Sequence, residues 1–313
     1  MDRLEAMTML AAAAGSGSFS AASRKLGVPL PTLSRKIAEL EKHLNARLFV
    51  RSTRKLALNE AGESYLRACT RILELVSDAE TEASGEFSTP RGELTLAAPI
   101  VFGRLHVVPV VNDFLAHFPE INARMILSDR NANLLNDHID MAVRVGELPD
   151  SSMVATRVGA IRRVVCGSPD YFAGHGVPKT PRDLANFTCV TFAGMPSSWS
   201  FESRKYSAQS ERPRCRLNIN TAEAAIDAAI AGVGLTHVLS YQVSRAISEG
   251  KLRVVLADFE PEPSPVHLIH PGQGLVPLKM RRFLEFAVPR LRKALTEDQQ
   301  KLAEKAAKDF LIR

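Results

Sequence analysis

From residue 3 to residue 84 the apolar positions recur at helical spacing in four runs. Leu4, Met7, Leu10, Ala11 and Ala14 mark a first helix, and Ala21, Ala22 and Leu26 a short second one. Ser20 can N-cap that second helix, and Gly27 can end it with left-handed backbone. Leu33, Ile37, Leu40 and Leu44 give a third helix, with Pro31 suited to its first turn. Leu48–Val50 and Leu56–Leu58 then read as two short strands around Arg51-Ser52-Thr53-Arg54. A long fourth helix starts at Asn59-Glu60-Ala61-Gly62-Glu63 and extends to about Ser84. Its stripe is Ala61, Tyr65, Leu66, Cys69, Ile72, Leu73, Val76 and Ala79, with Glu63, Arg67, Arg71, Glu74 and Asp78 opposite. One seam on a helix without a core of its own predicts pairing with a second copy.

The pattern changes after Gly85-Glu86-Phe87-Ser88-Thr89-Pro90-Arg91-Gly92. Strands are predicted near 93–98, 122–128 and 139–145, with a helix at 103–117 ended by Phe118-Pro119. A second unit begins near Val164. It holds a short helix at Pro181–Leu184, strands at 188–192 and 214–219, and a helix from Thr221 to Ala231 stopped by Gly232. A strand at Gly234–Leu239 leads to another helix through Ile247. The chain then returns with the strand Val266–Ile269 and the helix Leu278–Leu295. Such alternation predicts mostly parallel sheets flanked by helices, in two α/β lobes joined by two crossings, with a cleft between them suited to a small ligand. The boundaries read as 1–58, 59–90, 91–163 with 265–295, 164–264, and a polar tail 296–313. In the tail Leu302, Ala306, Phe310 and Leu311 keep helical spacing, and the sequence leaves open whether it docks or stays mobile.

Charge sharpens the first part of this picture. Residues 20–58 carry nine basic side chains and only Glu39 and Glu41 as acids, a local +7 against +6 for all 313 residues. The positive field is therefore confined to one element, as phosphate binding requires. A solvated basic face on an ordinary helical hairpin is the plain alternative, and the order helix, Gly turn, helix and basic hairpin weighs against it and reads as a winged helix-turn-helix. Leu30, Pro31, Thr32, Ser34, Arg35 and Lys36 stand at the start of the helix that would enter the major groove, and with Ser20 of the bracing helix they are the candidate DNA contacts. Arg51, Ser52, Thr53 and Arg54 form a wing for the neighbouring phosphates or minor groove.

The run Ser18-Phe19-Ser20-Ala21-Ala22, then Leu33-Ser34-Arg35 with Ile37, Leu40-Glu41, Leu44, Arg47-Leu48-Phe49, Arg51 and Asn59-Glu60-Ala61-Gly62 resembles the amino-terminal domain of LysR-type transcriptional regulators. The resemblance extends along the chain in length and element order. One departure stands out: Pro29-Leu30 replace the family's Ser-Gln before the proline of the recognition helix. Base preference then shifts toward Thr32, Ser34, Arg35 and operator shape, with Leu30 facing a thymine methyl. The resemblance implies a linker helix that makes a homodimer, a roughly palindromic double-stranded operator, tetramer as the usual state, and contact with RNA polymerase. It also implies an effector domain similar to periplasmic binding proteins. In that domain Pro99, Ile100 and Val101 match the strand end that holds an effector's acid group, although no hydroxyl is present here. Asp129, Arg130, Arg144, Val145 and Gly146 match the first-lobe loops, and Phe201, Thr221, Gly234, Leu235 and Thr236 the second-lobe wall. For each arginine a structural ion pair is the alternative. Trp199 and Phe201 either roof an aromatic effector or fill core.

Catalysis finds no support, since GxSxG, Walker and HExxH motifs are missing. His267 and His270 fall on opposite faces of a strand, which argues against a metal there. No cofactor is expected beyond a small-molecule effector. No apolar run approaches the roughly 20 residues of a membrane span. The flank of the Met7–Gly15 stretch is net negative, unlike a signal peptide, so a cytoplasmic, nucleoid-associated location is expected. Cys69, Cys166, Cys189 and Cys215 lie far apart. Buried free thiols are the simple reading, with a Cys189–Cys215 redox switch as the sharper one. The expectation is a non-enzymatic, effector-controlled, sequence-specific DNA-binding regulator. A redox-responsive regulator, or a two-lobed binding protein without a DNA role, are the alternatives.

Overall fold

The fold is described from a computed structural model over residues 2–50, 56–84, 89–130, 133–134, 137–149, 152–193, 198–203, 206–272 and 276–311. Contacts divide it into two compact units, Met1–Thr89 with Leu275–Leu278, and Pro90–Gly274 with Lys279–Arg313.

In the first unit the helices are α1 Arg3–Ser16, α2 Phe19–Leu26, α3 Leu30–Leu44 and α4 Glu60–Ser84, with β1 Phe49–Val50 antiparallel to β2 Ala57–Leu58. Ser18, not Ser20, caps α2: its backbone is extended and its hydroxyl accepts the Ala21 N–H at 3.0 Å. Ser20 is the second residue of the helix, inside its first turn, and is exposed. Gly27 ends α2 at φ +66°, and the Val28 N–H reaches back to the Ser23 carbonyl at 3.1 Å, the six-to-one bond of a Schellman turn. One core joins Ala6, Met7, Leu10, Leu40, Leu48 and Cys69, and a second joins Met9, Ala13, Ala22, Leu33 and Ile37. Burying a leucine such as Leu33 or Leu40 contributes about 1.5–3 kcal/mol.

The expectation that the α4 seam lacks a core is corrected here. Cys69 is fully buried against α1 and β1, with Tyr65, Leu66 and Leu73 packed on the same cluster, because α1 supplies an apolar face of matching spacing. Ile72 stays exposed.

The second unit has two lobes. The first is a five-stranded sheet ordered β4-β3-β5-β14-β6, from β3 Gly92–Ala98, β4 Ile121–Leu127, β5 Met141–Val145, β6 Met153–Ile161 and β14 Ser264–Pro271. Between β3 and β4 run α5 Ile100–Phe102, a π turn at Gly103–Val107, and α6 Val108–His117. The sheet is mixed rather than mostly parallel: β3 is parallel to β4 and β5, and β14 is antiparallel to β5 and β6. The sequence reading omitted β6, and β14, returning from the second lobe, inserts between β5 and β6 antiparallel to both.

The second lobe contains β7 Arg163–Gly167, α7 Pro169–His175, β8 Thr188–Phe192, the hairpin β9 Trp199–Ser203 and β10 Tyr206–Glu211, β11 Arg214–Ile219 and α8 Ala222–Ile230. It continues with β12 Thr236–Leu239, α9 Ser240–Ser248 and β13 Arg253–Val255. Here β12-β7-β13 are antiparallel, whereas β11 runs parallel to β8. The last helix, α10 Leu278–Leu311, packs Phe283 edge-on against Phe114 with centroids 5.1 Å apart. It runs on through the tail without a break. Asp298 faces His106 at 3.4 Å and Gln299 donates to the Ala160 carbonyl at 2.6 Å, so the beginning of the tail docks on its own chain.

Candidate nucleic-acid interface and effector site

The basic element is held rigid by three devices. Lys36 on α3 reaches Glu5 on α1 at 2.5 Å, and that bond pushes its ammonium pKa up. The side chain expected to project toward DNA is thus a strut that braces α3 on α1. Glu41, near the end of α3, accepts the Leu48 and Phe49 backbone N–H groups at 2.7 and 3.4 Å and pairs with Arg47 at 3.0 Å. One carboxylate therefore sets the first strand of the wing. Asn59 accepts the Gly62 N–H at 2.8 Å and donates to the Arg47 carbonyl at 2.9 Å, tying the entry to the first wing strand to the start of α4. A Cβ on Gly62 would lie 2.0 Å from the Leu48 carbonyl oxygen, which explains a glycine inside the first turn of a helix.

On the outer face of α3, Leu30, Pro31 and Arg35 are exposed and Thr32 and Ser34 half-exposed. Arg35 makes a loose ion pair with Glu39, at 3.9 Å, within its own helix. Pro29 precedes the helix without a side-chain cap, and the Thr32 and Leu33 N–H groups turn back to its carbonyl at 3.0 and 3.1 Å. The wing-tip residues Arg51, Ser52, Thr53 and Arg54 lie outside the described residues.

In the second unit the strand end before α5 presents a helix N-terminus, which favours an anion. That seat is taken by the protein itself: the Asp129 carboxylate accepts the Ile100 N–H at 3.0 Å. Ile100 and Pro99 are half-buried beside it, and Val101 is core. Arg130, exposed, donates its backbone N–H to the Ser128 hydroxyl at 3.1 Å. Arg144 sits half-buried on β5, and burial lowers its guanidinium pKa. Val145 follows it, and Gly146, at φ +104°, donates to the Pro265 carbonyl at 2.8 Å.

On the second lobe Thr221 N-caps α8, its hydroxyl accepting the Ala224 N–H at 3.4 Å. Gly234 allows a close approach, since a Cβ there would stand 2.6 Å from the Thr188 carbonyl oxygen. Phe201 and Leu235 are buried in one core cluster with Trp199, so of the two alternatives for these aromatics the structure shows core packing. Thr236 is fully buried with an unpaired hydroxyl.

Several residues of this region were missed by sequence reasoning. Arg104, in the π turn, pairs with Glu223 on α8 at 2.6 Å and links the two lobes. Tyr241 on α9 packs edge-on against Phe102, centroids 5.4 Å apart, and burial raises its hydroxyl pKa. His237 lies against Trp199 and Phe201 at 5.0 and 5.8 Å, and burial with the nearby Arg163 charge lowers its pKa to about 3. None carries a local motif, because each gains its role from a partner many residues away. Among the described residues no group of three or more His, Cys, Asp or Glu side chains could hold a metal, and no helix is long and apolar enough to cross a membrane.

Residues 4–63 match the bacterial regulatory helix-turn-helix model of the LysR family, and residues 88–292 match the LysR substrate binding domain. The chain belongs to the LysR family of bacterial transcriptional regulators. It is a DNA-binding regulator with an amino-terminal winged helix-turn-helix and a two-lobed effector-binding domain. It is 34% identical over 294 residues to a transcriptional repressor of Pseudomonas aeruginosa, covering 92% of each chain. It is 29% identical to the transcriptional activator AaeR of Escherichia coli, covering 90% of this chain and 91% of that one. Among solved structures, the LysR-type regulator CrgA of Neisseria meningitidis matches at a TM-score of 0.59 and 29% identity, with 92% and 98% coverage. The full-length virulence activator AphB of Vibrio cholerae matches at 0.60 and 25%, with 92% and 99% coverage. Members of both regulatory signs resemble this LysR-family chain.

Proposed function

We propose that this LysR-type regulator binds a roughly palindromic operator as a dimer or tetramer, and that a small molecule seated between the two lobes alters that binding and contact with RNA polymerase. In this reading it acts by binding rather than by chemistry, needs no resident cofactor, and works in the cytoplasm at the nucleoid. The outer face of α3 supports direct readout, with exposed Leu30 and Arg35 on a helix braced by Lys36 and Glu5. Dimerisation falls to the distal part of α4, where Ile72, Val76 and Ala79 continue the stripe beyond the buried cluster.

The observation that carries the effector reading is the Asp129 carboxylate on the Ile100 N–H. It occupies the position where an effector's acid group would bind, so the effector meets this end of the cleft with a neutral or hydrogen-donating group. Pro99, Ile100, Asp129, Arg130, Arg144, Gly146 and Thr221 are the contacts proposed. The test is a thermal-shift screen of neutral, cationic and carboxylate metabolites on wild type and Asp129→Asn. Neutral or cationic hits whose stabilisation shrinks in Asp129→Asn support the reading. Carboxylate hits unaffected by Asp129→Asn overturn it.

A further inference from the structure

Cys189 on β8 and Cys215 on β11 are register partners across two adjacent parallel strands. Neighbouring strands run about 4.7–4.9 Å apart, inside the roughly 4.4–6.8 Å Cα separation that a disulfide spans. The register shifts between Cys215 and Leu217, and such a bulge lets an outer strand re-aim its side chain. Burial, with the neighbouring Cys215 sulfur adding to it, raises the Cys189 thiol pKa to about 12.

The two sulfurs differ in access. Cys189 is 1% exposed, whereas Cys215 lies on the exposed strand. Cys69 packs in the other unit and Cys166 in the other core cluster of the second lobe, so neither competes for Cys215. The Cys215 sulfur already belongs to a polar chain: it meets the Thr191 hydroxyl at 3.1 Å, which accepts from the Asn218 amide at 2.7 Å. That chain ties β8 to β11 just before Thr221 caps α8, and α8 carries the Glu223 that pairs with Arg104 of the first lobe. A change at Cys215 therefore has a short covalent route to the contact between the lobes.

We propose that Cys189 and Cys215 form a reversible disulfide on exposure to a hydroperoxide, and that this bond shifts the lobe arrangement and with it operator affinity. The Cys215 sulfur attacks the peroxide oxygen: an S–O bond forms, the O–O bond breaks, and an alcohol or water leaves. The Cys189 sulfur then attacks the sulfenic sulfur: the S–S bond forms, the S–O bond breaks, and water leaves with the Cys189 proton. Two thiols are oxidised and one peroxide is reduced. The inference stands on the strand register and is independent of which small molecule fills the cleft.

The test uses reduced full-length protein treated with stoichiometric hydrogen peroxide, with peptide mapping under non-reducing conditions. Wild type should fall from four free thiols to two, yield one linked Cys189–Cys215 peptide, and recover with dithiothreitol. Cys189→Ser should stop at a sulfenic acid that a 1,3-dione probe captures. Cys215→Ser, altered at an exposed position, should keep its three thiols. Operator affinity of oxidised wild type should change about 5-fold or more, a typical coupling, and that of Cys215→Ser should not. Four thiols retained by wild type, or a linkage other than Cys189–Cys215, would overturn the site. The disulfide formed with unchanged operator affinity would overturn the regulation.

Discussion

Arg162 and Glu260 pin together the two segments by which the chain passes between the lobes. The guanidinium of Arg162, just after β6, reaches both carboxylate oxygens of Glu260, in the return segment before β14, at 2.7 and 2.9 Å. The bond to Glu260 raises the Arg162 pKa. A forked, charge-assisted pair of this kind holds the two crossing segments in one mutual orientation. Glu260→Ala leaves a half-buried guanidinium without its partner and should cost about 1–3 kcal/mol. Urea unfolding followed by the fluorescence of Trp199, the only tryptophan, measures this. A loss below about 0.5 kcal/mol would contradict that role for the pair.

Glu41 should matter more than its place on a solvated helix suggests. Removing it strands the Leu48 and Phe49 N–H groups and frees Arg47, so Glu41→Ala should cost the first unit about 1–3 kcal/mol. DNA affinity should fall on operator and random duplex alike, because the wing is mis-set. Glu41→Gln keeps an accepting oxygen and should restore most of both. Equal behaviour of the two variants would contradict the capping role.

His237 makes the second lobe acid-sensitive. Its folded pKa of about 3 lies below the ordinary histidine value of 6.5, so between those values the unfolded chain takes up a proton that the folded one refuses. Stability from this group is fully present above pH 6.5 and is lost as pH falls toward 3. At pH 5 the loss is about 2 kcal/mol, from 1.36 kcal/mol per pH unit. His237→Phe, which keeps a ring against Trp199, should flatten the pH dependence of urea unfolding between 6.5 and 5. An unchanged slope would assign the acid sensitivity elsewhere.

Much of this arrangement could be read from spacing. Leu33, Ile37 and Leu40 marked the buried face of α3, and Gly27 and Pro31 its entry, because caps and periodicity are local physics. The basic excess of residues 20–58 pointed to DNA for the same reason. What escaped was set by partners distant in sequence. Lys36 read as part of the groove-facing helix start, and its pairing with Glu5 on α1 could not be foreseen, since nothing local announces Glu5. Ser18 caps α2 in place of Ser20, two residues further along, because the helix begins that much earlier. The stripe on α4 was visible, but that α1 covers part of it depends on the packing of two helices more than 40 residues apart. Asp129 read as one more cleft residue, and only the fold shows its carboxylate on the Ile100 N–H. The Cys189–Cys215 register likewise needed β8 and β11 to lie side by side.

The central claim is that this LysR-family chain reads DNA through the exposed face of α3. The most direct test is an equilibrium binding titration of full-length wild type and Arg35→Ala on the DNA upstream of the protein's own gene and on random duplex, at several salt concentrations. Wild type should form a specific complex that weakens steeply with salt. Arg35→Ala should lose about 1–3 kcal/mol on the operator, roughly 5–150-fold, and little on random DNA. Equal losses on both duplexes, or no specific complex for wild type, would contradict the account.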